Sequence, residues 1–261
     1  ARELNDLLYG NYAQHNPNNP NPNDTIGRKS ICSGALLVGP PGSGKTALAQ
    51  YCATVAMSIS SSVRLLDVSC TSLVHKEVGA SEQAVHKLFQ TARAAAPCIL
   101  LLDGIENIAP VRGHDNTTEG TMDRILSTLL IEMDGMTHHD THSNSGSSSS
   151  AIPEGVAVIG VTHNESWIDP ALRRPGRLGK SIVLENPDHK ARQEILRREL
   201  EHLTIDFSDA SFFDPKDVEQ LAERLAMGTS NCSAAELISL SNEARFLSLR
   251  ALMEDIRIRG D

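Results

Sequence analysis

At 261 residues, with 40% of them apolar and 3% aromatic, the chain is long enough to bury one large α/β core and a smaller appended one. A formal charge of −9 excludes a broad basic footprint for nucleic acid, although a small basic pore would escape this test. The five cysteines (Cys32, Cys52, Cys70, Cys98, Cys232) form no CxxC pair and keep no regular spacing, which argues against a disulfide framework or zinc site and for reduced thiols.

Residues 1–30 read as an N-terminal flank in which 15–24 (HNPNNPNPND) is a turn-rich loop with nothing to bury. The start at Ala1 without a Met suggests a piece or a processed product. From 31 to 187 apolar β-type runs alternate with helical patterns, as a parallel sheet with crossover helices requires. The runs are 35–38, 63–68, 99–103, 156–161 and 181–184, five strands of one sheet. A polar insertion at 137–150 (THHDTHSNSGSSSS) interrupts this domain; its histidines His138, His139 and His142 are better read as a solvated loop than as a metal site. From 188 to 261 only helical patterns follow, at 191–203, 215–227 and 233–253, which predicts a small all-helical lid domain.

The segment GPPGSGKT at 39–46 follows a strand and opens a helical pattern at 47–57, the context in which GxxxxGK[ST] carries a mechanism. Backbone N–H groups of Gly39, Gly42, Ser43 and Gly44 would turn toward phosphates, with Pro40, Pro41 and Ala47 completing the cradle. Lys45 would reach the β and γ phosphates, and Thr46 would ligate Mg²⁺ at the positive end of the helix. ATP with Mg²⁺ is therefore the expected ligand pair. The run CILLLD ends in Asp103 at the carboxyl end of a strand, placed to orient Mg²⁺ through water. The fold class that follows is α/β, a P-loop NTPase with a five-stranded parallel sheet sandwiched by helices and a C-terminal helical lid over the nucleotide.

Together with the run IDPALRRPGR at 168–177, these motifs resemble AAA ATPases, and within them domains of the valosin-containing-protein group and its spermatogenesis-associated relatives. The likeness covers roughly residues 33–252. It implies a homo- or hetero-hexameric ring acting on protein clients or adaptors, without membrane insertion and without nucleic acid. It also implies that Arg174 and Arg177 are arginine fingers acting on a neighbour's nucleotide, and that Ala234 and Ala235, in NCSAAEL at 231–237, lie near the adenine.

Three departures from the family pattern bear on activity. Gly104 stands where the family has a water-activating glutamate, and Glu106, past the expected strand end, is not expected to reach the same water. His163 stands at the sensor 1 position in place of Asn, with Asn164 as an alternative after a one-residue slip. In KEVG at 76–79, Glu77 replaces the aromatic residue that grips substrate polypeptide. The leading expectation is a domain that holds Mg·ATP, hydrolyses it slowly if at all, and stabilises a ring. The alternative is an active protein-remodelling motor. A nucleic-acid motor is disfavoured by the charge. No membrane span or signal peptide is visible, so a cytoplasmic setting is expected, with a nuclear or organelle-peripheral one left open.

Overall fold

The computed structural model describes residues 34–111, 120–137, 155–205 and 215–259. The flank at 1–30, Cys32, the three insertion histidines and most of the 137–150 segment lie outside these residues. Contacts divide the chain into two units, Ala1–Val38 with Lys45–Val183, and Gly39–Gly44 with Leu184–Asp261.

The first unit is built on five strands, β1 (Ala35–Val38), β2 (Arg64–Ser69), β3 (Cys98–Asp103), β4 (Val156–Thr162) and β5 (Lys180–Val183). All pairings are parallel and the order is β2-β3-β4-β1-β5. The inner strands ALLV, CILLLD and VAVIGVT are buried almost throughout, as a parallel sheet covered on its faces demands. The edge strands β2 and β5 leave part of their length exposed. Each expected strand is present, β1 with its expected bounds and the other four with one or both bounds shifted by one residue, because ladder pairing and not hydrophobicity sets where a strand stops.

Among the described residues this unit holds the helices α1 (Lys45–Ile59), α2 (Ala80–Ala94) and α3 (Thr121–Thr137). α2 buries Val85, Phe89 and Ala92, and α3 buries Ile125, Leu126, Leu129 and Met133, spaced three or four apart as one helical face requires. They join Leu100, Leu102 and Ile105 in one core. Each fully buried leucine or phenylalanine there contributes about 1.5–3 kcal/mol. The core matters to function because it seats the carboxyl ends of β1, β3 and β4 side by side, where open α/β sheets bind ligands. The register pairs Asp103 with Val161, and Thr162 with Val38.

The second unit contains α4 (His189–Ile205), α5 (Pro215–Gly228) and α6 (Ala234–Arg259) around a small cluster of Leu196, Ala222, Ala226 and Leu237. Buried Arg192 is held by the carbonyls of Pro187 and Ala226 at 3.0 and 3.2 Å. α6 starts one residue later than its sequence pattern because Ser233 caps it. The Ser233 N–H and hydroxyl donate to Glu236 at 2.7 and 2.9 Å, and Glu236 N–H returns a bond to Ser233 Oγ at 3.3 Å, a capping box.

Candidate functional site

In the second unit, the loop Gly39–Gly44 has the backbone that its glycines permit. Gly42 has φ 78, and a Cβ on it would fall 2.7 Å from Ser233 Oγ, so a side chain is excluded both by conformation and by space. The Gly42 carbonyl accepts from Ala235 N–H at 3.1 Å, and Ser43 N–H donates to Pro40 O at 3.3 Å. Ser43 Oγ is buried with no hydrogen-bond partner among the described residues. Ala234 and Ala235 open α6 directly after its serine cap, which gives these two small residues a fixed place against the loop. Asn231 takes the left-handed φ of 66, a conformation that Asn tolerates better than other side chains.

In the first unit, α1 begins at Lys45 rather than at 47, which puts Lys45, Thr46 and Ala47 in its first turn. Thr46 Oγ1 donates to Asp103 Oδ2 at 3.0 Å. A hydroxyl and a carboxylate held together at a helix N-terminus are hard oxygen donors of the kind Mg²⁺ prefers, one able to ligate directly and the other through water, so the residues present fit the ion. Burial holds the Lys45 ammonium below the ordinary lysine range, against the opposing pull of the Asp103 and Glu106 carboxylates. Lys45 is thus a buried cation flanked by acids, suited to an anionic ligand that would replace lost hydration.

Gly104 follows Asp103 at φ 71 and ψ 47, and its carbonyl accepts from Asn107 Nδ2 at 2.8 Å. This left-handed residue ends β3 and turns the chain into a short 3₁₀ turn, Ile105–Asn107. The turn sets Glu106 with its side chain only 14% exposed and its Oε1 4.0 Å from His163 Nε2. Glu106 Oε2 is buried with no hydrogen-bond partner among the described residues. The segments carrying these two residues are stitched together by the Pro110 to Ile168 bridge and by bonds from Asp169 N–H to Ala109 O and Val111 N–H to Trp167 O. In the sequence Glu106 lies past the end of the strand. The tight turn at Gly104 brings it back to the same edge of the sheet.

His163 follows β4 directly and is half exposed. Asn164 is engaged elsewhere: its Oδ1 accepts from Ser166 N–H and Oγ at 3.0 and 2.9 Å. The carboxamide oxygen therefore caps the following turn, and His163 is the residue turned toward Glu106.

The two candidate fingers differ in their surroundings. Arg174, at the end of the turn Pro170–Arg173, is exposed and makes no ion pair among the described residues. Arg177 is only 14% exposed; it donates from Nε and Nη2 to both oxygens of Asp134 at 2.8 and 2.7 Å, and from Nη1 to Ala171 O at 2.6 Å. Asp134, near the end of α3, carried no signal in the sequence. Glu77 and Val78 are exposed, Val78 at 84%, in the segment before α2. Among the described residues no cluster of three or more His, Cys, Asp or Glu side chains is arranged to hold a metal, and no helix is long and apolar enough to cross a membrane.

Residues 35–186 match the family described as "ATPase family associated with various cellular activities (AAA)". The chain belongs to the AAA family. As an AAA chain it is 35% identical over 221 residues to the Cell division cycle protein 48 homolog of Archaeoglobus fulgidus, covering 85% of this chain and 26% of that protein. It is 36% identical over 225 residues to Peroxisomal ATPase PEX6 of Mus musculus, covering 86% of this chain and 20% of that one. With Peroxisomal ATPase PEX1 of Homo sapiens it shares 43% identity over 164 residues, 63% of this chain and 11% of that protein. The AAA chain thus spans about a quarter or less of the length of these relatives.

Proposed function

We propose that this AAA chain binds Mg·ATP, hydrolyses it slowly on its own, and contributes charge and stability to a ring of like or related AAA domains that remodels protein assemblies. The observation that carries the reading is the Thr46 to Asp103 hydrogen bond beside a buried Lys45, followed at once by Gly104, which has no side chain to activate water. Membership of an ATPase family and likeness to two proteins named as peroxisomal ATPases support nucleotide turnover in general. In this reading the loop 39–44 and Ala47 cradle the phosphates, Ala234 and Ala235 lie by the adenine, and Mg²⁺ sits on Thr46 and, through water, Asp103. Exposed Arg174 is the finger offered to a neighbour, and Arg177, clamped by Asp134, holds the turn that presents it. The exposed Glu77 and Val78 make a poor apolar grip, which favours a ring position that supports neighbours over one that pulls polypeptide. A cytoplasmic setting, on the organelle surface or free of it, belongs to the same reading.

The test is equilibrium binding of a fluorescent ATP analogue to the native chain and to Lys45→Ala, together with turnover at several protein concentrations. Native binding is expected, with a loss of about tenfold or more in Lys45→Ala from the missing charge-assisted contacts. Turnover per chain should be low and should rise with concentration as neighbours complete one another's sites. Failure of the native chain to bind ATP overturns the reading.

A further inference from the structure

We propose that Glu106, steadied by His163, is the group that activates the attacking water in this chain, taking the role that Gly104 cannot fill. The proposal rests on the Mg·ATP reading above and names the residues that run its slow reaction.

A carboxylate removed from water without partners is costly, so buried acids are normally met by a cation or by hydrogen-bond donors. Glu106 departs from that rule: its side chain is mostly buried, Oε2 has no partner among the described residues, and Oε1 faces His163 at 4.0 Å, beyond hydrogen-bond distance. The neighbouring polar side chains are already committed. Asn107 bonds the Gly104 carbonyl, Thr46 bonds Asp103, and Asn164 caps its turn. The acceptor capacity left on Glu106 matches what a bound water would supply, since such a molecule needs polar partners and a place to sit. The carboxylates of Asp103 and Glu106 both act on Lys45, and both act on the buried Cys70 thiol, which burial and these charges push up to about 12. By geometry, Glu106 follows Asp103 through the turn at Gly104, and Asp103 is bonded to Thr46 next to Lys45 in the chain, so the acid and the lysine share one end of the sheet.

The bond between the segments after β3 and β4 explains why the two departures occur together. With no side chain at 104, the acid is supplied from 106 by the 3₁₀ turn; with His at 163, a donor longer than Asn reaches toward it. In the step, water gives one proton to the Glu106 carboxylate as its oxygen forms a bond to the terminal phosphorus. The bond from that phosphorus to the bridging oxygen breaks, its electron pair leaves with ADP, and the proton passes on to the departing phosphate. Glu106 is the catalytic residue, and His163 a positioning residue that holds the carboxylate.

The experiment compares the native chain with Glu106→Gln, His163→Ala, His163→Gln, Gly104→Glu and the double variant Gly104→Glu with Glu106→Gln. Two readouts are taken: ATP turnover, and the ATP to ADP ratio of nucleotide retained after one binding cycle, with affinity for the fluorescent analogue as the control. Glu106→Gln should lower turnover by about 10²-fold or more and leave the retained nucleotide as ATP, while affinity stays within about threefold. His163→Ala should lower kcat with KM held, and His163→Gln, which keeps an N–H donor, should recover part of it. The double variant should regain turnover over Glu106→Gln alone. Turnover and retained nucleotide unchanged in Glu106→Gln overturn the proposal. So does a native chain that binds ATP yet turns over no faster than Lys45→Ala, an outcome that leaves the ATP-binding reading standing.

Discussion

At the scale of single residues, the surroundings of an arginine decide its task. Arg177 offers a planar fork, and both oxygens of Asp134 fill it while Ala171 O takes another donor. Arg174, three residues earlier, is exposed and unengaged among the described residues. Arg174→Ala should therefore leave thermal stability nearly unchanged and lower turnover, and mixing it with Lys45→Ala, whose own site is crippled but whose Arg174 is intact, should restore part of that turnover. Arg177→Ala should lose stability, because it removes two hydrogen bonds to Asp134 and the donor to the Ala171 carbonyl; charge-assisted bonds of this geometry, on a half-exposed carboxylate, contribute about 1–2 kcal/mol, several degrees of Tm in thermal unfolding. Equal losses of stability from both variants would contradict the division of roles. Gly104 is a second case at this scale. Its φ of 71 means that the Gly104→Glu variant regains an acid only against a left-handed backbone, which costs roughly 1–2 kcal/mol for a residue with a Cβ.

Among the elements, α2 and α3 are held together by more than their apolar faces. Glu132 of α3 is nearly buried and is met by Arg93 and, at 2.5 Å, by His86, both on α2. Burial alone would raise this carboxyl, but the hydrogen bonds from Arg93 and His86 outweigh it and hold Glu132 below the ordinary carboxylate range. Since the folded value lies below the unfolded one, the contribution is complete above the unfolded pKa. It is lost as pH falls through the folded value, where the unfolded chain binds the extra proton first. Glu132→Gln should thus be less stable at neutral pH by about 1–3 kcal/mol and should show a flatter decline below roughly pH 4. Denaturant unfolding of both chains across that range checks this; parallel acid limbs would assign the pH dependence to other carboxyls.

For the whole molecule, the acidic excess is a statement about partners rather than fold. Single-stranded DNA or RNA added to the native chain should leave ATP turnover unchanged, whereas stimulation that salt abolishes would restore the nucleic-acid motor that the charge disfavours. The sheet, its five strands and the helices that follow were legible in the residues because buried parallel strands are short continuous apolar runs and helices repeat their apolar face about every 3.6 residues. The phosphate loop was legible for a similar reason, since its glycines, Lys45 and Thr46 lie in one short run. Glu106 and Asp134 were not. Their roles depend on a left-handed turn at Gly104 and on the packing of α3 beside the 170–177 segment, contacts between residues far apart in the chain. What the sequence alone determined was the family, the sheet and the nucleotide motif, all written in local order; the tertiary structure decided which acid faces His163 and which arginine stays free, because side-chain partners are chosen by how the elements pack.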